Sequence, residues 1–126
     1  MVNGVDAEAL TEYLLAEVGD DLRSVVTYDR DDYDVAYARD DVRAKYSQRR
    51  IEKVVRDLEV ESLSREIQED LYVHGDLEAT VRCFDGGIEM HFIAGQGEGV
   101  AVAVEPETFV AQRSFFGRCL ETAGLR

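Results

Sequence analysis

Apolar residues recur along this chain at two different periods, and the change of period separates helices from strands. Ala7, Leu10, Leu14 and Val18 repeat at helical spacing, with Asp6 placed to cap the start and Gly19 to end it. Leu22 to Asp29 and Tyr33 to Arg39 read as two strands, with Val35 and Tyr37 on one face. The acidic link Arg30-Asp31-Asp32 makes the turn of an antiparallel hairpin. Asp40 and Asp41 then offer caps and negative charge for a longer helix. Its apolar stripe is Ile51, Val54, Val55 and Leu58. Leu63 falls off that stripe, which predicts a kink or a second helix between Glu59 and Ser64. Ser62 or Ser64 would cap it, and Leu63, Ile67 and Leu71 would face inward.

From Leu77 the period becomes two. Leu77, Ala79, Val81 and Cys83 alternate with Glu78, Thr80 and Arg82, so the apolar set is expected to face the core. Asp85-Gly86-Gly87 is a strong hairpin turn, since glycine accepts the backbone of tight turns. Ile88, Met90 and Phe92 alternate with Glu89 and His91, which places His91 outward. After the turn Gly95–Gly99, the run Val100 to Val104 is apolar on both faces and belongs in the middle of a sheet. Pro106 suits the first turn of a final helix, lined by Phe109, Phe116, Leu120 and Ala123 and ending at Gly124. The expected fold is α+β, in the order α-ββ-α(α)-βββ-α. Five antiparallel strands in the order 2-1-5-4-3 are flanked by helices.

That topology resembles the profilin-like fold, and its roadblock variant in particular, with another antiparallel α+β sandwich as the rival arrangement. The resemblance implies a scaffold, sensor or dimerisation unit. At residue level, the runs Asp31-Asp-Tyr-Asp-Val-Ala-Tyr-Ala-Arg-Asp-Asp41 and Glu69-Asp-Leu-Tyr-Val-His-Gly-Asp-Leu77 resemble a family of small uncharacterised haloarchaeal proteins. Val81-Arg-Cys-Phe followed by Met90-His-Phe does so too. This second resemblance runs nearly end to end and implies no activity.

Composition narrows the function classes. The 126 residues suit one domain, and 45% apolar residues supply a core. With 27 acidic against 14 basic side chains, the formal net charge is −13, which disfavours nucleic acid as a partner. The acids are spread from Asp6 to Glu121, and lysine occurs only at 45 and 53. Such a surface would repel itself in dilute buffer, whereas molar salt shortens the Debye length to about 3 Å. A salt-in halophile is the expected source, with an acidic mesophile protein or a nucleic-acid mimic as the alternative. No signal-peptide pattern opens the chain and no apolar run reaches transmembrane length, so the cytoplasm is the expected location. Cys83 and Cys119 fit no paired motif and are expected reduced and buried.

Most candidate chemistry gives way to plainer readings. His74 and His91 lack metal-ligand spacing and are expected in structural or surface roles. Cys83 and His91 fall on opposite faces by alternation, which argues against a thiol–imidazole pair. The glycines from 95 to 99 lack the lysine and following helix of a phosphate loop. Asp29, Asp31, Asp32 and Asp34 lack the glycine and distal glutamate of a calcium loop and read as solvated carboxylates. The least ordinary feature is Lys45, Arg49, Lys53 and Arg56, aligned on one helical face around Glu52 as a candidate partner-binding stripe.

The leading expectation is a non-catalytic regulatory or protein-interaction module that binds no cofactor or metal and associates with itself or another protein. The alternative is a small-ligand sensor with a pocket between sheet and helices, lined by Tyr33, Tyr37, Phe92, Phe109 and Phe116.

Overall fold

Val100, Val102 and Val104 bury themselves on one side of the last strand, and Ala101 and Ala103 on the other. A strand without a wet face needs neighbours at both edges and cover on both sides. In a computed structural model describing residues 4–126, that strand is β5 (Glu98–Val104), at the centre of a five-stranded sheet. The order is β2 (Asp32–Ala38), β1 (Leu22–Asp29), β5, β4 (Gly87–Gly95), β3 (Ala79–Phe84). Every neighbouring pair is antiparallel, so the expected class, element order and strand order all hold.

Helix α1 (Ala7–Val18) is capped by the Asp6 carboxylate, which accepts the Ala9 N–H at 3.0 Å. It covers the β1–β2 half of one face. Leu14 there joins Leu22, Val25, Ile88 and the three valines of β5 in a dry cluster. On the opposite face lies α3 (Gln48–Leu63), whose Val55 and Leu58 pack on Tyr28 and Ala101. Each such aliphatic side chain contributes about 1.5–3 kcal/mol by leaving water.

The long helix expected from Asp40 is interrupted. A single turn, α2 (Asp40–Arg43), is followed by a non-helical link, and Ser47 restarts the chain as the cap of α3, accepting the Arg50 N–H at 3.2 Å. Ser64 separates α3 from α4 (Arg65–Leu71), which meets the expectation of a break. Leu63, Ile67 and Leu71 do not turn inward, however, and are 59–68% exposed. The inner stripe instead continues three and four residues past Leu58, to Glu61 and Ser62. Ser62 is buried, accepting the Gly97 N–H at 2.9 Å and donating to the Glu59 carbonyl at 2.6 Å.

Two other expectations about faces reverse. Between Val25 and Val26 the β1–β2 register slips, with Val25 opposite Tyr37 but Val26 opposite Val35. Tyr37 therefore joins the α1-side cluster, whereas Val35 borders a recess under α3. At the far edge α1 makes no substantial contact with β3, so the apolar side of β3 stays open, although Ile88 of β4 is buried in the α1-side cluster. Val81 and Phe92 are 52% and 37% exposed, and Cys83 is exposed. The other cysteine, Cys119, is exposed on α5 (Val110–Thr122), a helix that buries only Gly117. Phe116 and Ala123 are accordingly exposed, while Phe109 packs against the α1-side cluster from the 3-10 turn before α5.

Candidate functional site

Where α3 packs on the sheet, the polar side of β4 is covered too. His91, expected at the surface, is 4% exposed and forms the centre of a hydrogen-bonded chain. Its Nδ1 lies 2.6 Å from Glu61 Oε1, and its Nε2 lies 2.5 Å from the Tyr28 hydroxyl. An ionised carboxylate only accepts, so Nδ1 carries the proton and donates to Glu61. Nε2 is bonded to the Tyr28 hydroxyl, which also lies 3.4 Å from the Leu58 carbonyl. Glu61 is further held by Thr80 Oγ1 and Arg82, and Arg82 also reaches Asp57 Oδ2 at 2.7 Å. Burial pushes the Tyr28 phenol well above its ordinary pKa. Burial also pushes the Glu61 carboxyl up, but its bonds to Thr80 and His91 and the Arg82 charge outweigh this and hold it below the ordinary range. His91 and Cys83 do lie on opposite faces, with inside and outside exchanged. A legible signal existed, because Glu61 and Ser62 continue the helix's inner stripe and can satisfy a polar sheet face.

This network fastens the C-terminal half of α3. Beside its N-terminal half, the sheet and helix leave a cleft of about 640 Å³. Small side chains on β5 make the room, Ala101 lining the cleft and Ala103 the recess beyond it. Arg49, Arg50 and Lys53 of α3 border one side, and Arg23 and Arg82 approach from the sheet. Against these five cations stand two carboxylates, Asp57 and Glu89. Arg82 is already paired, and Arg23 binds Glu105 at 2.8 Å. Arg49, Arg50 and Lys53 have no ion-pair partner among the described residues. Tyr46 and Phe84 supply rings, and Val54 and Leu58 an apolar wall.

Beyond Glu89, Tyr46 and Val54 the cleft adjoins a recess of about 90 Å³ bordered by Val26, Val35, Val42 and Ile51. Glu89 therefore stands where a cationic chamber meets an apolar one. Burial raises its pKa, an effect partly opposed by the charges of Arg23 and Arg82. No hydrogen bond or ion pair to its carboxylate is formed among the described residues.

The cationic stripe expected from the sequence is thus partly regrouped. Arg49, Lys53 and Arg56 stay together around Glu52 on α3, but Lys45 precedes the helix. Arg50 and Arg82, absent from that stripe, complete the cleft. The five aromatics proposed as a pocket are dispersed: Tyr33 packs on the α3 side, Tyr37 and Phe109 on the α1 side, and Phe92 and Phe116 are exposed. None of them borders the cleft or the recess. His74 is exposed and stacks on Tyr72, ring centroids 6.3 Å apart. Among the described residues no three His, Cys, Asp or Glu side chains converge as a metal set, and no helix is long and apolar enough to cross a membrane.

Comparison with known proteins places the chain without assigning it a role. No curated protein and no solved structure matches it. A family model does match, over residues 8–124, and the chain therefore belongs to the family described as a domain of unknown function, DUF7522.

Proposed function

We propose that the protein is a regulatory module that binds a small anionic molecule in the cleft between the sheet and α3. One observation carries this reading. In a chain of net charge −13, five cations gather around one concavity, and three of them have no carboxylate partner among the described residues. Repulsion elsewhere on the surface makes that concavity the favourable place for negative charge. Its volume lies in the range of small-molecule sites, about 300–1,000 Å³. Binding without catalysis is favoured by the state of His91, both of whose ring nitrogens are taken up by Glu61 and Tyr28. The dispersed acidity and scarcity of lysine support a cytoplasmic setting in a salt-in halophile. Calorimetric titration with pyrophosphate in KCl tests the reading. Saturable binding, weakened at least tenfold in Arg50→Gln/Lys53→Gln, is expected. No binding at millimolar pyrophosphate, or equal binding by the variant, would overturn it.

A second reading, self-association as a homodimer, is favoured by the open side of β3. Val81, Cys83 and Phe92 there form an apolar strip, close to an edge that nothing pairs. Light scattering in molar KCl should give twice the 14.2 kDa chain mass, and Val81→Asp should return it to the monomer value.

A further inference from the structure

Resting on the anion-binding reading, we propose that the ligand is a mononucleotide, its phosphate at Arg49, Arg50 and Lys53 and its base N–H groups at Glu89. Three features narrow the chemistry. The unpaired cations lie in the first two turns of α3, where the helix dipole adds to their attraction for a phosphate. A bare inorganic anion would need nothing more. The site goes further, however, into a recess walled by Val26, Val35, Ile51 and Val54, which asks for an apolar body.

Glu89 stands between the two chambers and is the discriminating group. A half-buried carboxylate without a partner costs free energy, and a purely anionic ligand would make that cost worse by repulsion. A ligand offering N–H donors relieves it. A carboxylate accepts through two oxygens, so paired donors such as the ring N–H and amino group of guanine suit it best, and a lone amino group such as adenine's less well. Tyr46 borders both chambers and offers its ring for stacking on a planar base. The same carboxylate would select against phosphate esters that carry only hydroxyls or a second phosphate at that position.

The test compares guanosine monophosphate, adenosine monophosphate, ribose 5-phosphate and inorganic phosphate by calorimetry, in KCl at pH 7.5. The full chain and Glu89→Gln are titrated in parallel, with thermal melts confirming that the variant is folded. Guanosine monophosphate should bind at least tenfold more tightly than ribose 5-phosphate. Glu89→Gln should abolish most of that preference while leaving ribose 5-phosphate as tight or tighter, since a repelling charge is removed. Equal affinity of the wild type for ribose 5-phosphate and both nucleotides would overturn the nucleotide assignment and leave the anion site standing. A base preference unchanged in Glu89→Gln would overturn the role given to that residue. Failure of all four phosphates to bind would overturn both the site and its ligand.

Discussion

Removing the Tyr28 hydroxyl tests the buried chain that holds α3 to the sheet. Tyr28 is fully buried, and its hydroxyl is bonded to His91 Nε2 at 2.5 Å and lies 3.4 Å from the Leu58 carbonyl. Tyr28→Phe deletes one oxygen and leaves the ring volume almost unchanged, so cavity effects are small. What remains is a buried imidazole nitrogen without a partner. A net hydrogen bond contributes roughly 0.5–1.5 kcal/mol, and a stranded buried acceptor costs about 1–3 kcal/mol. The expected destabilisation is about 2 kcal/mol. For a domain of this size that lowers the melting temperature by roughly 6–10 °C. His91→Leu alone should cost a similar amount, because it takes the short bond from the Tyr28 hydroxyl and one of the three that hold Glu61. The double variant strands neither hydroxyl nor imidazole, so its cost should fall below the sum of the two by about 1–2 kcal/mol. Urea unfolding in molar KCl, followed by far-ultraviolet circular dichroism, gives all four free energies of the cycle. A Tyr28→Phe cost under about 0.5 kcal/mol together with an additive cycle would show that the chain contributes nothing to stability.

Two carboxylates should give opposite responses to pH. Glu61 is held below its ordinary value, so its contribution is present above about pH 4.5 and lost as pH falls through its folded pKa. Glu61→Gln should therefore cost roughly 1–3 kcal/mol at pH 7 and little near pH 3 in urea titrations. Glu89 has the raised pKa, so its protonated form favours the fold and stability is lost as pH rises through that value. Glu89→Gln should stabilise the protein at pH 8, with the gain shrinking on acidification; a loss at pH 8 would contradict its unpartnered state. Cys83 and Cys119 are both exposed, so a thiol reagent should titrate two thiols in the folded protein without denaturant. Gly99→Ala should cost about 3 kcal/mol, because its methyl would meet the Phe92 carbonyl oxygen at 2.5 Å and the Tyr28 hydroxyl at 2.8 Å. Gly86→Ala, which meets nothing within 4 Å, is the matched control and should change stability little.

The sequence by itself determined the elements and their order, because the periods of 3.6 and 2 are local properties of the chain. Asp6, the Asp85-Gly86 turn and the valines of β5 each act on their immediate neighbours, and the two-sided apolarity of Val100–Val104 placed that strand centrally. Alternation also separated Cys83 from His91. It could not say which of the two faces would be covered, since that depends on where α1 and α3 dock. Docking left Val81 and Cys83 open while it buried His91 and half-buried Thr80, with Arg82 at the exposed rim, reversing the usual preference. Glu61, on α3, made the reversal affordable by satisfying all three. The same docking built the candidate site. Arg82 and Glu89 face each other across the hairpin that the sequence predicts, but Arg50 lies 32 positions before Arg82 on α3, so no spacing along the chain joins the helix cations to that pair. Only the gap under the N-terminal half of α3, above the small side chains of β5, brings them to one cleft.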